Sequence, residues 1–332
     1  IRTVDIEREL SRMLRDSDEV RSVTDEAHGW TRVSWRDRDF CYDACRSLHK
    51  RGIQTYEGTV PPLRRWCADN EVQVARPKRC YLDIETDSRL PFSRKEEMRV
   101  LCWALVDERG AGVVRILDED SDEAERRLLD FLWRALGHFD QVASWNGDRF
   151  DFSVILARTK ERGLRPNHKR ILWLDHLELF RRMNTMAAES GEEKQSMKLD
   201  SIAHAILGEG KDNFDASKTW EAWATGGEER ARMARYCLKD ADLKRRSEEK
   251  TGYVELLQTL CEVSGAFPDS RGINPSNQVE NLLLKLGLRR GHRFATRFPG
   301  VAEQFRGAFV MEPRARGVER DVHVADFKSM YP

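Results

Sequence analysis

The stretch CYLDIETDS, residues 80–88, has the composition of a buried strand yet carries two carboxylates in its middle. Successive side chains of a strand point to opposite faces, so Asp83 and Glu85 share one face while Leu82 and Ile84 point into a core. Two carboxylates this close repel each other unless a cation compensates them. Mg²⁺, which prefers oxygen ligands, is the usual compensation. Taken alone, the pair is more typical of a strand end that emerges into solvent, where acids need no compensation.

From residue 80 onward the sequence alternates between extended and helical patterns. Apolar runs predict strands at 80–86, 98–108, 112–117 and 141–145. Amphipathic periodicity predicts helices at 121–139 and 151–163, and mostly helices after that. Three strands, a helix, a strand and then helices are typical of an α/β fold in which helices flank a mixed sheet.

Residues 1–76 are predicted to form a smaller α+β domain. DFCYDACRSLHKRG has helical spacing and stops at Gly52, IQTYEGTV predicts a strand, and the Pro-Pro pair at 61–62 opens a further helix. No cluster of candidate catalytic residues occurs in this region.

Composition narrows the class of protein. Apolar residues make up 40% and charged residues 34% of the 332 residues, and the formal net charge is zero. No apolar run approaches the roughly 20 residues of a membrane span, and the first residues are too charged for a secretory signal, so we expect an intracellular protein without a membrane partner. The seven cysteines form no CxxC pair, which disfavours a zinc site.

Residues 271–320 contain ten Lys or Arg and four Asp or Glu, a pattern that fits a phosphate-facing surface or a solvated basic face.

Two further stretches carry acids at predicted helices. In WNGDRFDF the Asn-Gly pair predicts a turn, and Asp151 then falls in a first helical turn, where the helix dipole favours a carboxylate. In YCLKDADL, Tyr236 and Asp240 are four residues apart and share one helix face. Each stretch alone has an ordinary structural interpretation, a capping acid in the first and a solvated acid in the second.

Together, D-x-E on a strand, N-x-x-x-F-D at a helix start and Y-x-x-x-D in a later helix closely resemble, in this order, the three exonuclease motifs of family B DNA polymerases. The resemblance implies a 3′–5′ exonuclease of the DEDD type, tyrosine subclass, on a ribonuclease H-like fold. KLDSIAHAILGEGKDNF, QVENLLLKLGLRRG and GAFVMEP also resemble segments of the family. The similarity covers residues 76–332 well and residues 1–75 loosely.

The resemblance assigns roles to the motif residues. Asp83, Glu85 and Asp240 would hold a first Mg²⁺ or Mn²⁺. Asp83 would bridge to a second ion, on which Asp151 would act. Tyr236 would orient the attacking water. The expected reaction is proofreading hydrolysis of DNA, which releases nucleoside 5′-monophosphates from a single-stranded or frayed 3′ end.

Residues beside the motifs are candidates for holding the substrate. Asn146 would hydrogen-bond the substrate strand, and Thr86 would touch the terminal nucleotide. Phe150 would either stack beside the terminal base or lie in the core, and the core is favoured. Lys211 lies in a segment similar to the family's LGxxK and fits a structural or a phosphate-binding role equally. Asp148 is expected to cap a helix rather than to bind metal.

DFKSMYP, residues 326–332, resembles polymerase motif A, with Met330 in place of leucine. Asp326 would match a palm carboxylate, and Tyr331 would match the residue that screens the sugar 2′ position. The second palm aspartate, the fingers and the thumb would lie beyond Pro332, so we expect a polymerase fragment without polymerase activity. The implied domains are an N-terminal domain at 1–76, an exonuclease domain at 77–250, and connecting helices with the start of the palm at 251–332.

Other function classes stay open. A catalytically silent nucleic-acid-binding module is disfavoured because all four candidate ligands are present, and a free-standing DEDD-type nuclease is disfavoured by motif A. A ribonuclease is not separated from a deoxyribonuclease, because that choice depends on contacts to the 2′-OH. Part of 251–320 is expected to pack on residues 1–76, since the family's N-terminal domain borrows segments that follow the exonuclease.

Overall fold

The structure is a computed structural model that describes residues 18–26, 30–70, 75–187, 196–298 and 323. All of the helices and strands described below belong to one compact unit, residues 1–296. The strands are β1 (Val20–Glu26), β2 (Trp30–Trp35), β3 (Arg79–Thr86), β4 (Val100–Asp107), β5 (Gly112–Ile116), β6 (Gln141–Ser144) and β7 (Leu172–Asp175). The α-helices are α1 (Arg38–Lys50), α2 (Pro62–Asp69), α3 (Asp122–Leu136), α4 (Asp151–Glu161), α5 (His176–Ala187), α6 (Leu199–Leu207), α7 (Thr219–Thr225), α8 (Gly227–Thr251), α9 (Tyr253–Ser264) and α10 (Pro275–Arg289). Short 3₁₀ helices span Phe92–Glu97, His168–Arg170 and Ala216–Lys218.

The main sheet has five strands in the order β5-β4-β3-β6-β7. β4 pairs antiparallel with both β3 and β5, whereas β6 is parallel to β3 and to β7. The predicted mixed sheet is therefore confirmed. β7 was not predicted, because its four residues run directly into α5 with no turn residue between them and the whole stretch has helical spacing.

Helices cover both faces of this sheet. In β3, Leu82 and Ile84 belong to a buried cluster that α3, α4 and α8 complete. The neighbouring Tyr81 belongs to a second buried cluster, with side chains of α5 and α9. Because successive side chains of a strand point to opposite faces, Tyr81 points to the face of the sheet opposite to that of Leu82 and Ile84.

Helix α8 is the element that joins the sheet to the site. It has 25 residues and ends at Gly252, whose left-handed φ of 66° and N–H bond to the Glu248 carbonyl form a C-terminal cap. Along its length α8 packs on β3, β4 and β5. Residues on its inner face are thereby held against the strand that carries Asp83 and Glu85.

The N-terminal part of the described chain contains the antiparallel pair β1–β2 and the helices α1 and α2. The strand predicted for IQTYEGTV is wrong. Only Tyr56 of this stretch forms a bridge, to Ala295, and Glu57 turns the chain with a φ of 57°. A left-handed residue in the middle interrupts the pleat that a strand requires.

The expected packing of later residues on the N-terminal part is confirmed for the described residues. Helix α10 packs against α2. Arg64 Nη1 lies 3.1 Å from Glu280 Oε2, and the Gly58 N–H donates to Thr296 Oγ1 at 3.0 Å. The predicted domain limits at 76 and 250 stay a prediction.

The polymerase motif A residues Asp326 and Tyr331 lie outside the described residues. None of the helices in the described part of the chain combines the length and apolar character needed to cross a bilayer.

Candidate active site

A cavity of about 520 Å³ lies at the C-terminal end of β3. The strands β3 and β6 run parallel, so the start of α4, which follows β6, faces the same edge of the sheet. Such an edge is where α/β sheets commonly bind ligands. The residues predicted to be catalytic all line this one cavity: Asp83, Glu85, Asp151, Tyr236 and Asp240.

The two acids of β3 face the cavity side by side. Glu85 is buried, and its pKa is raised well above the usual range, first by burial and then by the charges of Asp83 and Asp240. Strand alternation predicted that Asp83 and Glu85 share a face. The third acid, Asp240, is brought in from α8.

The pKa values of the acids contributed by helices are shifted in the same direction as that of Glu85. Burial, followed by the Asp83 charge, raises the pKa of Asp240 to about 6, against the opposing effect of Lys211. Burial also raises the pKa of Asp151 to about 7, although the charge of Lys244 acts in the opposite direction. Clustered buried carboxylates with raised pKa values in a cavity mark a candidate functional site.

The acids are suitably placed to hold a divalent cation. One ligand atom from each of Asp83, Glu85 and Cys237 lies within 4.8 Å of the others. Asp240 Oδ1 is buried without a hydrogen-bond partner, a costly state for a carboxylate oxygen that a cation would relieve. Cys237 is the least suitable of these donors, because burial holds the pKa of its thiol well above the usual value and hard divalent ions prefer oxygen.

Two lysines also contact the acids. The Lys244 Nζ lies 2.5 Å from Asp83 Oδ1, and the Lys211 Nζ contacts Asp240 Oδ2 and lies 3.0 Å from the Tyr236 hydroxyl. Lys211 was a candidate from the sequence, but Lys244 was missed. Its signal was present, because positions 236, 240 and 244 follow one another at the four-residue spacing of a single helix face.

Two of the predicted substrate-binding residues line the cavity. Thr86 is buried, and its carbonyl accepts a 2.6 Å hydrogen bond from Thr219 Oγ1. Phe150 stacks on Phe92, with ring centroids 5.8 Å apart and planes 17° from parallel. Phe150 also packs against the main buried cluster, so it joins the core to the cavity wall.

The turn before α4 is present as predicted, and it departs from the prediction only at Asp148. Asn146 adopts a left-handed φ of 59°, and its carbonyl accepts the Phe150 N–H at 3.0 Å, but Asn146 is not among the described residues that line the cavity. Asp148 does not cap the helix, which is a correction. The N-cap position belongs to Phe150, whose side chain makes no capping bond, and the Asp148 N–H donates to Asp175 Oδ2.

A family model described as the RNase_H superfamily matches residues 80–244, the part that builds the five-stranded sheet and the cavity. Residues 80–244 form a ribonuclease H superfamily domain. The predicted fold class is thereby confirmed.

The ribonuclease H superfamily domain and its flanks are similar to DNA polymerases. A DNA polymerase of Pyrococcus horikoshii is 24% identical over 319 residues, covering 86% of this chain and 25% of that protein. The DNA polymerase delta catalytic subunit of Oryza sativa subsp. japonica is 33% identical over 146 residues, which covers 41% of this chain and 13% of that protein.

A solved structure of the family B DNA polymerase from Pyrobaculum calidifontis shares the fold. It superposes with a TM-score of 0.64 at 18% identity and covers 89% of this chain and 46% of that one. The resemblance to family B DNA polymerases is thereby confirmed at the level of sequence similarity and fold. The chain spans about a quarter of the length of the Pyrococcus horikoshii polymerase and 40% of the Pyrococcus abyssi DNA polymerase 1.

Proposed function

We propose that the chain carries the 3′–5′ exonuclease of a family B DNA polymerase and removes nucleotides from the 3′ ends of DNA. The observation that carries the proposal is the convergence, in one cavity, of four acids and a tyrosine from three separate elements. The relatives are named as DNA polymerases, which supports DNA as the substrate. Proofreading of a frayed or single-stranded 3′ end is the expected use of such a site.

Asp83, Glu85 and Asp240 are the residues that would hold Mg²⁺ or Mn²⁺. The bare Asp240 Oδ1 and the raised pKa of Glu85 both fit a site that needs a cation. A bound divalent ion supplies Lewis acidity to the scissile phosphate and makes a nearby water more acidic. Because a metal ion can perform that deprotonation, the site does not need a histidine base.

Tyr236 is suited to orienting the attacking water. Its hydroxyl oxygen lies 3.0 Å from the Lys211 ammonium, which can only donate, so the tyrosine accepts from the lysine and keeps its own proton for another partner. The Lys211 charge also faces the cavity, where it would offset the negative charge of a scissile phosphate. Lys211 thus fits a phosphate-binding role.

The shape of the cavity fits a terminal nucleotide. Its volume of about 520 Å³ falls in the range of pockets that take small molecules. The stacked rings of Phe92 and Phe150 form one wall, and aromatic faces are general platforms for unpaired bases. Thr86 lies beside them, next to the acids, where a terminal sugar would be placed.

A catalytically silent DNA-binding module is the second candidate. The observation in its favour is that two ammonium groups, those of Lys211 and Lys244, already contact Asp240 and Asp83. In that case the cavity would bind a strand end without cleaving it.

The test is to incubate the 332-residue chain with single-stranded DNA labelled at its 5′ end, in the presence of Mg²⁺ or Mn²⁺. We expect a ladder that shortens from the 3′ end and disappears with EDTA. Asp240→Asn should slow the shortening by at least about 100-fold, since even residues that only support metal ligands cost 10- to 100-fold when changed. RNA of the same sequence, run in parallel, tests the ribonuclease alternative.

Asp242→Asn is the matched control, because Asp242 lies two residues along the same helix and pairs with Arg245 outside the cavity lining. It should cleave at the wild-type rate. DNA binding without shortening would favour the silent module. Equal cleavage by wild type and Asp240→Asn would contradict the assignment of the site.

A further inference from the structure

Lys244 is held inside the site by three hydrogen bonds. Its side chain is 1% exposed. Its Nζ donates to Asp83 Oδ1 at 2.5 Å, to the Leu82 carbonyl at 2.6 Å and to Ser144 Oγ at 3.2 Å. An ammonium group has three protons, so every donor of Lys244 is used.

Lys244 lies between two acids that come from different elements of the fold. Asp83 comes from β3, and Asp151 comes from the start of α4. All three residues line the cavity, and the charges of Lys244 and Asp151 act on each other. This is the place that the family resemblance gives to a second divalent ion, bridged by Asp83 and acted on by Asp151.

Starting from the metal site of the proposed function, we infer that the Lys244 ammonium permanently replaces the second divalent ion, so that the chain binds one divalent ion instead of two. Lys244 is then a positioning residue, which fixes Asp83 and supplies a fixed positive charge that acts on Asp151.

The two lysines of the site differ in a way that supports this inference. Lys211 is 29% exposed and contacts only one oxygen of Asp240, and the other oxygen has no partner. A partly exposed side chain can move aside when an ion or a phosphate arrives. Lys244 is anchored to a backbone carbonyl and a serine hydroxyl inside the core, and its displacement would leave buried polar groups unpaired.

The charge balance of the cavity points the same way. The four carboxylates that line it can carry four negative charges, and Lys211 and Lys244 carry two positive ones. One divalent ion makes this set neutral. A second divalent ion would leave two uncompensated positive charges in a buried site, which is strongly unfavourable.

The test counts bound Mn²⁺ per chain by isothermal titration calorimetry and by electron paramagnetic resonance of the free ion, without DNA. We expect one ion for the wild type and two for Lys244→Met, which keeps an unbranched side chain one atom shorter and removes the charge. Lys211→Met is the matched control and should still bind one ion. Asp240→Asn should lose the single ion of the wild type.

Circular dichroism checks that each variant folds, and Lys244→Gln is a second variant with a polar end group. Two ions bound to the wild type would overturn the inference, and so would one ion bound to both folded Lys244 variants. The wild-type count needs no variant, so the inference is tested even where a variant does not fold. A chain that binds one ion but never shortens DNA would defeat the proposed exonuclease and leave the role of Lys244 intact.

Discussion

Glu125 and Glu85 are both buried glutamates of the ribonuclease H superfamily domain, but their surroundings are opposite. Glu125 is fully buried and accepts hydrogen bonds from the Val100 N–H at 3.0 Å and from Arg158 Nε and Nη2 at 2.9 and 2.6 Å. A second guanidinium, that of Arg162, lies 3.3 Å away. After burial, the strongest influences on the pKa of Glu85 are instead the charges of other carboxylates, which raise it.

The difference separates an acid whose charge the fold itself compensates from an acid of the proposed site. The guanidinium groups of Arg158 and Arg162 lie beside Glu125, so the fold itself satisfies the buried charge. Glu85 and its neighbours leave part of their charge unsatisfied and open onto a cavity. Burial alone therefore does not identify a site, but burial beside like charges does.

The largest expected effect is the loss of stability when the charge of Glu125 is removed. Glu125→Gln should lower the free energy of unfolding by about 3–5 kcal/mol, because it leaves a buried guanidinium without its anion. Urea denaturation in EDTA measures this. Glu85→Gln should be neutral or stabilising under the same conditions, since it removes a charge that its neighbours oppose. An equal loss for the two variants would remove the distinction between them.

Divalent ions should stabilise the folded chain only through the acids that line the cavity, and not through Glu125. Mn²⁺ at about 100 times its dissociation constant should stabilise the folded wild type by about 2.7 kcal/mol relative to EDTA. Glu125→Gln should keep this increment on top of its lower baseline, whereas Asp240→Asn should lose it. Thermal unfolding followed by circular dichroism gives both values, and a Mn²⁺ increment that survives Asp240→Asn would place the ion elsewhere.

Asp151 predicts a pH dependence with a definite sign. Its pKa of about 7 in the folded chain is raised above the unfolded value of roughly 3.9, so its favourable contribution is present below pH 4 and is lost as the pH rises through 7. In EDTA, wild type should therefore lose stability relative to Asp151→Asn between pH 5 and pH 8, by on the order of 1–2 kcal/mol. Denaturation curves at several pH values test this, and parallel curves for the two proteins would contradict it.

The smallest effect is expected for a solvated ion pair. Arg64 and Glu280, 3.1 Å apart, join α2 to α10, but their side chains are 22% and 55% exposed. Arg64→Ala should cost less than about 1 kcal/mol, as exposed pairs generally do. Urea denaturation of Arg64→Ala and of Glu125→Gln under the same conditions compares the two losses of stability. A loss comparable to that of Glu125→Gln would mean that solvent exposure does not set the strength of these pairs.

The sequence was sufficient to predict the layered α/β fold and to select acids that line one cavity. The reason is local: alternation in β3 and four-residue spacing in α8 determine which side chains share a face. The partners of those acids depend on packing between distant elements. Arg158 reaches Glu125 across 33 residues, and Lys244 reaches Asp83 across 161. Nothing in the local pattern at either end predicts those distances.

The errors in secondary structure have physical causes too. β7 was missed because its four residues, three of them apolar, fit a helical spacing as well as a strand, and its hydrogen bonds to β6 decide the outcome. The stretch 53–60 was predicted as a strand because it is rich in β-formers, but the positive φ of Glu57 makes it a turn. Asp148 was predicted as a cap from its position alone, whereas its N–H is drawn to Asp175.

The bond between the Gly58 N–H and Thr296 Oγ1 closes a loop of 238 residues. During synthesis at about 5–20 residues per second, the ribosome needs roughly 12–48 s after residue 58 to deliver the partner. The sheet and its cavity are complete by residue 244, well before that contact can form. The order of translation therefore lets the sheet and its cavity fold before the N-terminal part can form its contact with Thr296. Protease resistance of arrested nascent chains would reveal this order.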